Sequence, residues 1–272
     1  MDRVYAHTNI QLYQQLQGEG YSKKEVGRVC QAYDLARELF SCQYRPSGKT
    51  LLSHLVGTAS ILGTMRVPCE LVVAGLLHAA YAHGDFGGLR TGISNRKRRK
   101  VRMVIGEIAE AYIAQYALLT WNYQTILTSG QNLSNLSQVE RNILVMRLAN
   151  ELEDHLYKGI LYCSNAIGRQ KGVQVLDNLL VELATSLGYP NLGAELEGIF
   201  RPIRHHPIPI GLIPRNSNRR CMLRIPLSYR QRFLRHLFEW LLGKWGGVHS
   251  VLIDLRIKLY RKAKRFQALG PK

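Results

Sequence analysis

The sequence predicts an all-α protein: a helical bundle with a basic, amphipathic C-terminal helical extension. Apolar residues recur at helical spacing along most of the chain, and no alternation of period two lasts long enough to indicate a sheet. Basic residues are concentrated near the C-terminus. With 272 residues, of which 46% are hydrophobic, the chain is long enough to bury one large core or two modest ones.

Two capping boxes mark the beginnings of helices. Ser22 and Glu25 precede a periodic segment that continues to about Phe40. Ser137 and Glu140 precede a second periodic segment. In a capping box the serine hydroxyl and the glutamate carboxylate bind backbone N–H groups that the first helical turn leaves without partners. The sequence therefore predicts helix starts at both serines.

Two further helices are predicted around histidines. A short helix that carries His54 should follow the Pro46-Ser47-Gly48 turn. Pro68 opens another, from Cys69 to about His83, which is apolar on nearly every face. A helix of that kind belongs in the middle of a core.

The remaining body alternates loops and helices. We expect a glycine-rich loop at 84–95, a solvated basic run at 96–100 that leads into one helix through Ile105, Ile108, Ala109 and Ile113, and polar turns at 128–137. Two more helices are predicted at about 172–187 and 191–199.

His54 and His78 each lie among aliphatic residues. A buried imidazole is costly unless it finds a hydrogen bond or a metal ion. Both histidines therefore need partners, and the search for these partners determines the functional hypotheses.

The charge distribution divides the chain into three predicted regions. Residues 201–272 contain 17 Lys or Arg and two acidic residues, whereas residues 1–200 are close to neutral. Four prolines between 202 and 214 break helices. We predict a helical domain at 1–200, a proline-rich linker at 201–226 and a basic amphipathic tail at 227–272.

Three partners fit such a tail. Tryptophans and aliphatic residues beside Lys and Arg favour an anionic membrane surface, or docking on a partner protein or on the body itself. Nucleic acid is the less expected partner, because fewer leucines would then be needed.

The composition also predicts where the protein resides. Five scattered cysteines show no metal-binding spacing and are expected to be reduced thiols. The first residues lack an apolar signal region, and no apolar run of about 18 residues predicts a membrane span. We therefore expect a cytoplasmic protein, which the tail can hold peripherally at the inner face of the membrane.

Four short motifs, in order, resemble the HD domain of RelA/SpoT-type guanosine tetraphosphate hydrolases. They are Arg45-x-Ser47-Gly48 with His54, then Leu76-Leu77-His78, then Ile105-Gly106-Glu107-Ile108-Ala109-Glu110, and finally Arg147-Leu148-Ala149-Asn150-Glu151-Leu152. The match covers roughly residues 25–165. The resemblance implies an HD-domain-like bundle in which histidines and aspartates hold a divalent metal that activates water.

Carried over residue by residue, the resemblance keeps only part of the metal site. His54 and His78 match two metal ligands, whereas the aspartate of the His-Asp doublet is Ala79 and the distant aspartate is Asn150. The acidic pair that follows the doublet falls on Ala82 and His83. A hard divalent ion prefers anionic oxygen ligands, so the inherited site is expected to be crippled. The two imidazoles are still expected to lie face to face in an otherwise apolar helical interior.

Two interpretations of the histidines remain. In the first, Asp85 and Asp154 turn inward and restore with His54 and His78 a site for Mn, Fe or Zn, the two aspartates taking the catalytic role. In the second, the histidines are core residues that are hydrogen-bonded to Asn150 and to backbone carbonyls.

A possible ligand contact lies before His54. Arg45 matches the arginine that stacks on guanine in the family, so it is a candidate contact for a nucleotide-like small molecule. Ser47 and Asn150 are the other candidate ligand-binding residues. The alternative is that Arg45 is an ordinary surface arginine and that Ser47 only shapes the turn.

These interpretations lead to two functional hypotheses. The first is a degenerate HD-domain protein, without hydrolytic activity, that serves as a ligand-binding or scaffold module and attaches through its tail. The second is a metal-dependent phosphohydrolase that acts through a rearranged His/Asp site, with Asp85 or Asp154 in place of the lost acids.

Overall fold

A computed structural model describes residues 4–88, 92–213 and 222–223. They belong to the first of two units, which divide the chain at 223/224. The predicted basic tail at 227–272, together with residues 214–221 and 224–226 of the predicted linker, lies outside the described residues.

Within the described residues the chain is all-α, as the sequence predicts. Its helices are α1 (Asn9–Gly18), α2 (Lys23–Phe40), α3 (Leu51–Thr64), α4 (Cys69–Leu77), α5 (Ala80–His83), α6 (Asn95–Ile105), α7 (Glu107–Leu118), α8 (Tyr123–Gln131), α9 (Gln138–His155), α10 (Ala166–Ser186) and α11 (Pro190–Ile203). Short 3₁₀ segments lie at Leu133–Asn135, Leu156–Tyr162 and Ile210–Leu212. Two strands of two residues each, β1 (Gln43–Tyr44) and β2 (Met222–Leu223), pair in antiparallel orientation.

Both predicted capping boxes are confirmed. The Ser22 hydroxyl accepts a hydrogen bond from the Glu25 N–H, and the Glu25 carboxylate accepts one from the Ser22 N–H. Ser137 and Glu140 form the same reciprocal pair at the start of α9. The end of α2 at Phe40 also agrees with the sequence prediction.

The core surrounds α4, which packs against α2, α3, α7 and α9. Every residue of α4 except Glu70 is buried, which confirms the central position predicted from its apolar faces. The α3 helix lies beside it and also packs on α9. This arrangement brings the middle of α3 and the end of α9 together, and these two segments build the site described below.

Four predicted boundaries are wrong, each for a local reason. The predicted helix at 69–83 breaks at His78 and Ala79, which separate α4 from α5. Gly106 has φ 86°, a left-handed conformation that ends α6 and starts α7. The polar segment predicted as turns contains the end of α8. Finally, α11 continues through Pro202 to Ile203, three residues into the predicted linker.

The basic run at 96–100 is not simply solvated. Arg98 binds the buried carboxylate of Glu110 through two hydrogen bonds, of 2.7 and 2.9 Å. Because α6 and α7 are joined at Gly106, the two residues face each other across a short connection.

Candidate functional site

A tight turn before α3 presents two cations on the same side. The Arg45 N–H donates to the Lys49 carbonyl (2.7 Å), and the Gly48 N–H donates to the Arg45 carbonyl (2.9 Å). Gly48 has φ 88°, which the turn requires and which a glycine adopts without strain. Arg45 and Lys49 are therefore opposite ends of one closed loop, whose next residue, Thr50, caps α3.

The α3 helix places His54 in the interior. His54 is fully buried. One turn later, Gly57 allows α9 to approach closely, because a Cβ atom there would lie only 2.7 Å from the Glu153 Cγ and Oε1 atoms. The glycine thus makes room for the Glu153 side chain beside His54.

The last turns of α9 supply the acidic side of the site. Asn150, Glu153 and Asp154 are three and four residues apart and therefore share one helix face. Glu153 forms short contacts with His54 Nδ1 and with the Lys49 ammonium, and Asp154 forms one with the Arg45 guanidinium. His54 Nδ1 also lies 3.5 Å from Asp154 Oδ1.

Electrostatics keep Asp154 ionised. Burial raises the pKa of Asp154, but the neighbouring positive charges, first Arg45 and then His54, lower it by more. The net result is a pKa well below the usual range of an aspartate. Asp154 is therefore a carboxylate at all pH values near neutrality, paired with a cation.

His78 contacts His54, as predicted, but the rings meet edge-on and not face to face. The ring centroids are 5.3 Å apart and the planes meet at 74°. His78 Nδ1 lies 2.7 Å from the Gly75 carbonyl, so this nitrogen carries the proton and Nε2 carries a lone pair. Burial, with the positive charge that His54 can carry, lowers the pKa of His78 to about 3, which leaves the ring neutral.

Among the residues of this candidate site, two buried polar atoms have no hydrogen-bond partner within the described part of the chain: His54 Nε2 and Asn150 Oδ1. Buried polar atoms are usually paired, so each such atom needs an explanation. The sequence-based interpretation in which Asn150 accepts a hydrogen bond from the histidines is therefore wrong for its Oδ1. The part concerning backbone carbonyls is confirmed for His78.

The cations and carboxylates line a pocket of about 500 Å³. It is bordered by His7, Arg45, Ser47, Lys49, Glu153, Asp154, Leu156, Tyr157, Gly159 and Tyr162. The His7 and Tyr157 side chains meet at the rim, with 3.3 Å between His7 Nε2 and the Tyr157 hydroxyl.

The backbone of the pocket rim is strained. Tyr157 and Lys158 both have left-handed backbone conformations, with φ of 54° and 58°. Non-glycine residues rarely adopt such angles, and strain of this kind concentrates at functional sites.

One group here could hold a metal ion. Ligand atoms of His54, Glu153 and Asp154 all lie within 4.8 Å of one another. An imidazole nitrogen with two carboxylate oxygens is a donor set that Zn, Mn and Fe accept. The two carboxylates are, however, already neutralised by Lys49 and Arg45.

Two predicted site residues are elsewhere. Asp85 does not turn inward: it is exposed, and its carboxylate accepts the Gly87 N–H (2.8 Å) within its own loop. His78 is buried behind His54 and does not border the pocket. Arg45, Ser47, His54 and Asp154 do come together, whereas Asn150 is buried one turn from Asp154 on α9.

Sequence reasoning missed Glu153, Lys49, His7 and Tyr157. Helical spacing could have revealed Glu153, because it follows Asn150 by three residues on the same face. Lys49 could have been found from the closed turn. His7 and Tyr157 reach the pocket only through long-range packing, for which the sequence contains no local signal.

A family model matches part of the chain. Residues 37–120 match a family described as a domain of unknown function, DUF6817. The matched segment includes Arg45, Lys49, His54 and His78 and ends before α9. No curated protein matches the chain. None of the described helices is long and apolar enough to cross a membrane.

Proposed function

We propose that this chain is a degenerate relative of the HD-type hydrolases that binds a phosphorylated, nucleotide-like small molecule without hydrolysing it. The observation that carries the proposal is the pocket of about 500 Å³, in which one turn presents both Arg45 and Lys49. Arginine and lysine are the usual partners of phosphate oxygens. A pocket of this volume is in the range that accommodates a nucleotide-sized ligand.

The aromatic side of the pocket supports a base or another flat group. Tyr157 and Tyr162 also border the cavity. An aromatic ring stacks on a nucleobase with an energy of about 1–3 kcal/mol. Phosphate would therefore be held by the cations, and the flat moiety by the tyrosines.

The same geometry argues against hydrolysis by the inherited site. Ala79 supplies no ligand atom, and Asp85 is held in its own loop. Glu153 and Asp154 each contact a cation. Asp154 is a weak general base, because its neighbouring cations lower its pKa below the range useful near pH 7.

Calorimetric titration of the full chain tests the proposal. GDP, pyrophosphate and guanosine serve as the complete probe and its two fragments. We expect GDP to bind, and Arg45→Gln and Lys49→Gln each to weaken binding by about 10- to 100-fold, since a charge-assisted hydrogen bond is lost. Arg66→Gln, an exposed arginine paired with Glu19, is the matched control. Absence of GDP and pyrophosphate binding, or equal affinity in the Arg45 variant and wild type, would overturn the proposal.

A metal-dependent phosphohydrolase is the second candidate, favoured by the convergence of His54, Glu153 and Asp154. Its test is phosphate release from GDP in the presence of Mn²⁺. Release that Glu153→Gln abolishes would establish this activity in place of pure binding. We expect no release.

We also propose that the basic C-terminal region attaches the protein to an anionic membrane surface at the inner face of the membrane, or to a partner protein. The support is compositional: 17 Lys or Arg and two acidic residues at 201–272. Sedimentation with anionic liposomes should be lost on removal of residues 225–272. If the truncated chain still sediments, the membrane attachment is refuted.

A further inference from the structure

We infer that the pocket binds a divalent metal ion and phosphate together, and that each promotes the binding of the other. The ion would bind His54, Glu153 and Asp154, displacing Lys49 and Arg45, which would then turn to the phosphate. This inference rests on the proposed function, since it assigns the phosphate to the same pocket. It differs from the HD-type site, whose ligands would be His54, His78 and the positions of Ala79 and Asn150.

The donor atoms of His54, Glu153 and Asp154 fit a divalent ion. Three ligand atoms converge within 4.8 Å, one from an imidazole and two from carboxylates. A metal on His54 Nδ1 would replace the proton that this nitrogen shares with Glu153 and move it to Nε2. That Nε2 atom is buried and has no hydrogen-bond partner among the described residues. The neighbouring His78 ring, whose centroid lies 5.3 Å from that of His54, carries a lone pair on its Nε2.

The charges of the two cations and the two carboxylates balance in the absence of a ligand. Lys49 and Arg45 carry two positive charges, and Glu153 and Asp154 carry two negative ones, so the network is neutral without a ligand. A divalent ion alone would leave two uncompensated positive charges. A phosphate dianion alone would draw the cations away from buried carboxylates. Uncompensated charges of either sign are costly in a buried site.

Both ligands together restore neutrality. The ion then compensates Glu153 and Asp154, while Lys49 and Arg45 compensate the phosphate. Binding of either ligand therefore lowers the cost of binding the other, and by thermodynamic linkage the effect is reciprocal.

The Lys49 and Arg45 side chains, which the ion would displace, have room to move. The Lys49 and Arg45 side chains are 28% and 20% exposed and border the pocket, whereas Glu153 is 1% exposed. The carboxylate is thus fixed by packing, and the flexible cations have room to turn. The carboxylate that would bind the metal ion stays in place, and this favours replacement of its lysine counter-ion by the metal ion.

Electron paramagnetic resonance of free Mn²⁺ measures the metal affinity of the full chain with and without inorganic phosphate, which binds Mn²⁺ weakly itself. We expect Mn²⁺ to bind about 5- to 100-fold more tightly when phosphate is present, the range of typical coupling. Titration of phosphate at fixed Mn²⁺ should give the same factor. Equal Mn²⁺ affinity under both conditions would overturn the inference.

Two variants separate the roles of the network. Glu153→Gln should abolish Mn²⁺ binding. Lys49→Gln keeps a hydrogen-bond donor beside Glu153 but removes the competing charge, so Mn²⁺ should bind more tightly without phosphate, and phosphate should bind more weakly. A purely structural lysine would not shift the two affinities in opposite directions. Unchanged Mn²⁺ affinity in Lys49→Gln would contradict the displacement.

The failures of the two proposals are distinguishable. If GDP and pyrophosphate bind through Arg45 but Mn²⁺ does not bind, the coupling is refuted and the proposed function stands. If Mn²⁺ binds through Glu153 and no phosphate compound binds at any Mn²⁺ concentration, both are refuted.

Discussion

Two buried carboxylate networks in this protein use the same residue types for different ends. Glu110 on α7 is fully buried and accepts hydrogen bonds from Arg98, Arg102 and Tyr81, so that each of its oxygens is bound twice. Glu153 contacts Lys49 and His54, and Glu153 and Lys49 both border the pocket. The first network is closed by its own residues, whereas the second faces a cavity.

The difference indicates how to separate a structural ion network from a binding site. In the Glu110 network both carboxylate oxygens accept hydrogen bonds from side chains on α5 and α6, and the Arg98 and Arg102 side chains are 34% and 40% exposed. In the Glu153 network the cations are side chains of a surface turn, and His54 Nε2 is left without a partner among the described residues. Among the described residues the closed network also has a buried nitrogen without a partner, Arg102 Nε. The feature that separates the two networks is therefore the pocket of about 500 Å³, which Arg45, Lys49, Glu153 and Asp154 border and which no residue of the Glu110 network borders.

The largest expected effect concerns the closed network. Glu110→Ala would strand two guanidinium groups and the Tyr81 hydroxyl, so we expect the free energy of unfolding to fall by about 3 kcal/mol. Urea denaturation measures this change. Binding of GDP should be retained under native conditions, because no residue of the pocket is touched.

The same measurement on Glu153→Gln sharpens the comparison. The glutamine keeps an amide oxygen that can accept the hydrogen bond from Lys49, so we expect a loss of only about 1 kcal/mol. Equal losses for the two variants would show that the pocket network is as structural as the closed one.

A second effect, of intermediate size, is the acid dependence of the closed network. Burial raises the pKa of Glu110, but hydrogen bonds from Arg98, Tyr81 and Arg102 together lower it by more than burial raises it. The folded-state pKa therefore lies below its usual value of 4.5. A carboxylate with a lowered pKa stabilises the fold fully above the unfolded-state pKa, and this stabilisation is lost as the pH falls through the folded-state pKa.

Denaturation series from pH 6 to pH 3 test this dependence. Wild type should lose more stability below about pH 4.5 than Glu110→Gln, by up to about 1 kcal/mol per pH unit. Asp154 contributes in the same direction in both proteins, because its pKa is also lowered. Parallel curves for the two proteins would contradict the role assigned to Glu110.

The parts of the fold that local chemistry determines could be predicted from the sequence. Reciprocal capping at Ser22 and Ser137 involves residues three apart, and the sequence therefore specifies those helix starts. The end of α8 was missed because its polar residues resemble a turn and Ile126 is its one buried residue. Pro202 did not stop α11, because it lies in the last turn, where the proline removes one terminal backbone hydrogen bond.

The candidate site was only partly predictable. The match of His54 and His78 to two metal-ligand positions predicted that the two rings lie together, which the structure confirms, although they meet edge-on and not face to face. The partner of His54 Nδ1 was not predictable in the same way. Glu153 matches no motif position, and its meeting with Lys49 across 104 residues of sequence depends on how α3 packs on α9. Tertiary packing, not local pattern, selected the acid.

The smallest expected effect comes from a substitution that moves the Glu153 side chain without changing its charge. In Gly57→Ala the new Cβ would lie 2.7 Å from the Glu153 Cγ and Oε1 atoms, so the side chain must move by a few tenths of an ångström or more. Gly27→Ala on α2 is the matched control, because nothing lies within 4 Å of its added Cβ. The control should gain about 1 kcal/mol of stability from helix propensity and leave Mn²⁺ affinity unchanged.

For Gly57→Ala we expect the gain in helix propensity to be offset by the displaced carboxylate, and Mn²⁺ to bind about 3- to 10-fold more weakly, since ligand atoms must remain near their required distances from the ion. Urea denaturation and free-Mn²⁺ resonance, applied to both glycine variants, give the two quantities. The Glu110 network lies on other helices and should not respond. If Gly57→Ala gains as much stability as Gly27→Ala and keeps full Mn²⁺ affinity, then the close approach of α3 to α9 does not position Glu153 for an ion. The pocket network would then resemble the closed one more than its geometry indicates.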